Sequence, residues 1–197
     1  MAFDLYTGIE LVSVLFSVFF LVLLMRQSIW CWPFGIVGSA LGVVLFVSPE
    51  AAVNLYSEAI LYSYYVWIGI YGWIRWYSKS NEKIAIVFWS SKAHIIAIGL
   101  GLILAPALGY FMNTYTESNS PYIDAFTTVF SFIASYMQAR KVMSSWHFWI
   151  VINAVSIGLY YSRDIYLYTG LMVVYFALSI VGLIQWKKDN SEEVTQP

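Results

Sequence analysis

The chain has 197 residues, of which 60% are hydrophobic, 19% aromatic and only 11% charged. Soluble domains carry about a quarter charged residues, so the composition is that of an integral membrane protein, as the mean hydropathy of +0.71 agrees. A net charge of −1 provides no basic footprint for nucleic acid, and the single cysteine, Cys31, excludes an internal disulfide.

The N-terminal "MAFDLYTGIE" lacks a basic region followed by a small-residue cleavage site, so no signal peptide is expected. A membrane-crossing helix needs about 20 mostly apolar residues. Seven segments qualify, near 9–25, 29–47, 55–77, 93–112, 122–139, 146–161 and 165–186. Polar connections separate them: "RQS", "SPEAAVN", "SKSNEK", "NTYTESNSP", "RKVMSS" and "SRD". Residues 84–89, "IAIVFW", are expected along the inner interface, and the tail 188–197 is expected to be disordered.

The odd-numbered connections and the C-terminus carry Arg26, Arg75, Lys79, Lys83, Lys92, Arg140, Lys141, Lys187 and Lys188. The opposite side holds only Arg163, next to Asp164. This bias predicts a cytoplasmic C-terminus and, with seven spans, an external N-terminus.

The second segment, W32-P-F-G-I-V-G-S-A-L, and the sixth, W146-H-F-W-I-V-I-N-A-V, coincide at Trp, Phe, Ile, Val and Ala at an offset of 114. The same offset relates the first segment to the fifth, and an offset of 110 relates the third to the seventh, placing Tyr65, Gly72 and Trp76 on Tyr175, Gly182 and Trp186. The expected fold is therefore all-α: seven transmembrane helices as two parallel three-helix repeats joined by a linker helix. The divisions are 9–77, 78–121, 122–187 and a polar cytoplasmic tail, 188–197. Parallel repeats are a transporter architecture, with a substrate site expected near midplane at the repeat interface.

Polar groups in hydrocarbon need partners or a function. The fifth helix places Asp124, Thr128, Ser131, Ser135 and Gln138 on one face, and the sixth aligns Trp146, Trp149, Asn153 and Ser156. Ser39 lies on the matching face of the second helix. The third aligns Glu58, Tyr62 and Tyr65, and the seventh aligns Tyr168, Tyr175, Ser179 and Gly182. Flat aromatic faces with amide and carboxylate edges suit a planar heteroaromatic ring, including a cationic one. The predicted substrate-binding set is Glu58, Tyr62, Tyr65, Ser131, Ser135, Trp149, Asn153, Tyr175 and Ser39. The competing explanation is packing, because stripes of serine, threonine and glycine are ordinary contacts between membrane helices. Trp30, Trp32, Trp73, Trp76, Trp89, Trp146 and Trp186 read as an interfacial belt, Trp67 as lipid- or subunit-facing, and His94 and His147 as solvated.

The 3+1+3 plan resembles the SWEET fold. "IWCWPFGI", "YYVWIGIYGWIRW", "DAFTTVFSFIASYMQARK", "WHFWIVINAVSIGLYY" and "IVGLIQWKK" resemble the PnuC-type bacterial vitamin transporters over about residues 9–188. The resemblance implies uptake of nicotinamide riboside, or of thiamine, riboflavin or a deoxynucleoside, by facilitated diffusion across the bacterial inner membrane. It also implies a homotrimer and trapping of the product by a cytoplasmic vitamin kinase. At Ser39, Tyr62, Ser135 and Asn153 the sequence departs from the riboside-type pattern of Asn, Gln, Gln and Asp.

The last segment has no lysine to form a Schiff base, and no G-x-x-x-x-G-K-[ST] or metal-ligand cluster is present, so no cofactor or catalytic centre is expected. A proton-coupled carrier using Glu58, Glu10 or Asp124 is the mechanistic alternative. A non-transporting membrane interaction protein is the alternative of a different class.

Overall fold

The computed structural model describes residues 5–47, 56–77, 85–116 and 118–195. Among these the protein is all-helical: α1 (Leu5–Met25), α2 (Cys31–Val47), α3 (Tyr56–Tyr77), α4 (Ser91–Tyr115), α5 (Pro121–Ala139), α6 (Ser145–Ser162) and α7 (Tyr166–Thr195). Each falls on a predicted segment. By length and composition Gly8–Met25, Ser91–Tyr115 and Tyr166–Glu192 could each cross a membrane, and Cys31–Leu45 is a shorter apolar helix. Large apolar side chains such as Leu15, Ile60, Ile103 and Leu167 are exposed, which lipid accounts for and water does not.

The chain divides into two compact units, one within residues 1–84 and one within 85–197. In the first, α2 packs against both α1 and α3. The Ser13 hydroxyl donates to the Gly38 carbonyl at 2.9 Å, and Gly38 brings α2 against Phe16. In the second, α5 packs against α4 and α6, and α6 against α7. α4 buries Ala97, Gly101, Ala105, Gly109 and Met112. Their spacing makes one narrow face of small residues, against which Phe130 and Tyr122 of α5 lie at Gly101 and Gly109.

Three helix ends close in the same way, that of α6 at Asp164, with φ 58° and the N–H groups of Asp164 and Ile165 donating to Tyr161 and Tyr160, and two others at corresponding places in the repeat. After α1, Gln27 takes φ 56°, its N–H donates to Leu24, and that of Ser28 donates to Leu23. After α5, Lys141 takes φ 57°, its N–H donates to Gln138, and that of Val142 donates to Met137. All three are Schellman caps, which satisfy the last carbonyls with a left-handed residue. Those after α1 and α5 recur at an offset of 114.

Four of the tryptophans assigned to a belt are instead interior. Trp32 meets Trp76 edge-on at 5.3 Å and 89°, and Trp146 meets Trp186 at 5.4 Å and 88°. All four are at most 5% exposed. Trp32 lies against Gly72 and Trp146 against Gly182, so a glycine on α3 and one on α7 admit the indoles. Trp146 is therefore a packing residue. Trp30, Trp73 and Trp67 are exposed, Trp67 as expected.

Three further features rest on contacts that sequence spacing does not display. Residues 85–90 are tied to the turn after α5. Val87 bridges to Val142, with Val87 N–H donating to Lys141 and Met143 N–H donating to Val87, each at 2.9 Å. His94 is tied down, with Nε2 2.7 Å from the Ser144 hydroxyl and Nδ1 2.9 Å from the Ser90 carbonyl. The expected disordered tail continues α7 to Thr195. Gln185 donates to Asp189, Lys188 faces Glu192 one turn on, and no glycine or proline interrupts residues 183–195.

Candidate functional site

The second unit gathers most of the predicted polar residues. In α5 the apolar cluster of Phe130 and Ala134 joins Ile152 of α6, with Phe148 and Trp149 packed on it. That contact fixes the phase of both helices. On α5 it leaves Ser131, Ser135 and Gln138 buried together. The Ser135 hydroxyl donates to the Ser131 carbonyl at 2.7 Å, so its proton is committed to the helix and only its acceptor capacity remains.

Trp149 is half-buried, and its indole N–H donates to the side-chain oxygen of Gln138. One turn further along α6, Asn153 is buried and donates from Nδ2 to the Ser179 hydroxyl at 3.1 Å. Ser179 in turn donates to the Tyr175 carbonyl at 2.8 Å. α6 thus reaches α5 through an indole and α7 through an amide. Four residues of helix separate the two by about 6 Å along the axis. Gln138 and Ser179 were on the predicted stripes but outside the predicted binding set. Their signal was the helical spacing to Ser135 and Tyr175.

The first unit holds Ser39, Glu58, Tyr62 and Tyr65. Tyr62 and Tyr65 meet at 5.8 Å and 67°, and the Tyr62 ring lies against Gly42 of α2. Tyr62 is therefore a contact between α2 and α3 as well as a candidate face for a ring. Ser39 is half-buried beside Gly38. Glu58 belongs to α3, but its side chain falls outside the described residues.

Asp124, a candidate proton carrier, is in an ion pair with Arg163 at 2.8 Å and also accepts from the Ser118 hydroxyl. Both partners are about one-fifth exposed. The pair joins the start of α5 to the residue after α6, which is a structural tie. Among the described residues no group of three or more His, Cys, Asp or Glu could hold a metal.

Apolar helices with large apolar side chains turned outward are those of a multi-pass membrane protein. The family described as nicotinamide mononucleotide transporter matches residues 7–188, and the chain belongs to that family. It is similar to the riboflavin/roseoflavin transporter RibM of Streptomyces davaonensis, at 27% identity over 90% of this chain and 83% of that protein. It is similar to the nicotinamide riboside transporter PnuC of Escherichia coli, at 21% identity over 76% of this chain and 71% of that one. The crystal structure of the vitamin B3 transporter PnuC superposes with a TM-score of 0.76 at 18% identity, covering 94% of this chain and 83% of that one. That likeness shows the fold.

Proposed function

We propose that this protein takes up a vitamin or vitamin precursor that carries a planar heteroaromatic ring, by facilitated diffusion with alternating access and without any chemical step. The observation that carries this reading is the Trp149–Asn153 pair on α6. The indole is fixed by its bond to Gln138, and the amide by its bond to Ser179. A fixed aromatic face and an amide one turn away can stack a ring and bind its edge. Asn153 spends one N–H on Ser179, so its second N–H and its carbonyl serve the ligand. Ser131, Ser135 and Tyr175, in the same unit, are assigned to the same set.

Nicotinamide riboside is the substrate of first choice. Riboflavin is the second reading, favoured by the relative at 27% identity that is named for it. Asp124, one of three carboxylates that a proton-coupled carrier could use, is bound to Arg163 and to the Ser118 hydroxyl as a structural tie. The reading places the protein in the bacterial cytoplasmic membrane with the N-terminus outside. It has two three-helix repeats, α1–α3 and α5–α7, linked by α4. It works as a homotrimer coupled to a cytoplasmic vitamin kinase.

The test is uptake of labelled nicotinamide riboside, riboflavin and thiamine into proteoliposomes, with and without a proton gradient. Saturable uptake of one vitamin that is indifferent to the gradient is expected. No uptake of any would favour an interaction protein, and uptake that collapses with the gradient would favour proton coupling.

A further inference from the structure

Gln138 is 2% exposed in the last turn of α5, and its Nε2 has no hydrogen-bond partner among the described residues. The orientation of this amide is not free. The indole N–H of Trp149 is only a donor, so the group facing it is the amide oxygen. The NH2 edge with its two donors is thereby turned away from Trp149. A buried donor without a partner calls for an explanation, and a ligand is one.

Three other buried polar atoms on these helices also lack partners: the indole nitrogens of Trp32 and Trp146, and the Ser145 hydroxyl. Trp32 and Trp146 occupy corresponding places in the two bundles, so their unpaired nitrogens come with the shared packing motif. A hydroxyl rotates to suit its surroundings. Gln138 differs on both counts. Its counterpart at the offset of 114 is Leu24, which is fully buried and apolar. Packing at that position is thus satisfied by a leucine, and the amide is an addition peculiar to the second bundle. It sits on the one residue that holds the aromatic face of the proposed site.

We infer that Gln138 is a specificity-determining residue: its oxygen holds the Trp149 indole, and its NH2 edge takes a carbonyl oxygen attached to the ring of the transported molecule. The inference rests on the binding site proposed above. It selects within that class for rings bearing a carbonyl, such as a carboxamide-substituted pyridinium or a flavin, over rings without one, such as those of thiamine.

The two halves of this role separate by substitution. In Gln138→Glu a carboxylate oxygen still accepts from the indole, but the donor edge is gone. In Gln138→Met both are gone. Dissociation constants for nicotinamide riboside, riboflavin and thiamine would be measured on the purified full chain, with melting curves to show that each variant is folded. Wild type is expected to prefer a carbonyl-bearing vitamin. Gln138→Glu should lower that preference over thiamine by about tenfold, the worth of one lost hydrogen bond to the ligand. Gln138→Met should weaken all ligands further, because Trp149 is released.

Equal loss for every ligand in Gln138→Glu would reduce Gln138 to a support for Trp149 and overturn the inference. Unchanged affinities, or a wild-type protein that takes only thiamine, would overturn it too. The underlying site is judged separately: Asn153→Ala and Trp149→Ala at wild-type affinity would remove the site itself, whatever Gln138 does. If Gln138→Glu does not fold, Gln138→Met decides alone, by whether its loss is greater for the carbonyl-bearing ligand.

Discussion

On the proposed division into two three-helix bundles, helices α1–α3 and helices α5–α7 share their mechanical parts and differ in their chemistry. Each has a Schellman turn between its first two helices, at Gln27 and at Lys141. Each has an edge-on tryptophan pair lying against a glycine, Trp32 and Trp76 at Gly72, Trp146 and Trp186 at Gly182. Where the second bundle carries Gln138, Trp149, Asn153 and Ser179, the first carries Leu24, Gly35, Ser39 and Gly69. Those four positions hold the second bundle's bridges between helices. In the first bundle, close approach of the chains replaces them, with Gly35 against Phe20 and Gly69 against Ile36. Duplicated packing sites constrain both copies alike. A ligand-binding surface constrains only the copy that carries it, so polar groups accumulate on one side.

The shared part can be broken first, and with the largest effect. Trp146→Ala and Trp32→Ala should each destabilise the protein by about 3–5 kcal/mol, because each empties a fully packed site. The two losses should be similar in thermal melts of the detergent-solubilised protein. A large loss for one and none for the other would show that the two pairs are not equivalent.

The difference between the bundles is sharpened by the matched pair Asn153 and Ser39. Asn153→Ala removes the bond to Ser179 and the free edge of the amide, and should weaken substrate binding about tenfold. Ser39→Ala should change it by about twofold or less, since a single hydroxyl beside a glycine backbone offers one exchangeable hydrogen bond. Titration calorimetry on both variants checks this. Equal effects would mean that the first bundle shares the chemistry.

Much of this contrast was legible in the residues. Continuous apolar runs and clustered Lys and Arg placed all seven helices, because a helix in hydrocarbon must satisfy its own backbone. The stripe Ser131, Ser135, Gln138 and the run Trp149, Asn153 were visible because they recur at three and four residues. What the spacing could not show was the partner. Trp146 near a helix end reads as an interfacial anchor until Gly182, 36 positions away, is found beneath its ring. His94 reads as solvated until Ser144 is found at Nε2. Tyr62 reads as ligand-facing, and its spacing does not display the contact its ring also makes with Gly42. Each of these is a contact between helices, decided by packing rather than by periodicity. The tail was misread for another reason. Its charges look like disorder, yet Lys188 and Glu192 are spaced to support one more helical turn.

The Asp124–Arg163 tie joins the start of α5 to the end of α6, so removing it tests whether the second bundle needs a strap at that end. Asp124→Asn should lower stability by about 1 kcal/mol, the scale of a partly exposed ion pair. Transport should stay insensitive to collapse of the proton gradient in both wild type and variant. A gradient-dependent wild type made independent by Asp124→Asn would instead make this carboxylate the coupling group.

The smallest effect addresses the most closely matched feature. Gln27 and Lys141 both occupy left-handed backbone, which glycine adopts without the strain borne by a side chain. Gln27→Gly should therefore stabilise the protein by about 0.5–1 kcal/mol, as replacement at such a cap relieves the residue after the helix. Lys141→Gly gains the same relief but forfeits a side chain that is buried, only 4% exposed, where Gln27 is half-buried. Its carbonyl still accepts from Val87, so the strand-like contact of residues 85–90 survives the change. The expected order in thermal melts is Gln27→Gly above wild type and Lys141→Gly at or below it. Equal stabilisation at both sites would show that the buried lysine contributes nothing there, and that the two turns are alike in energy as well as in hydrogen bonding.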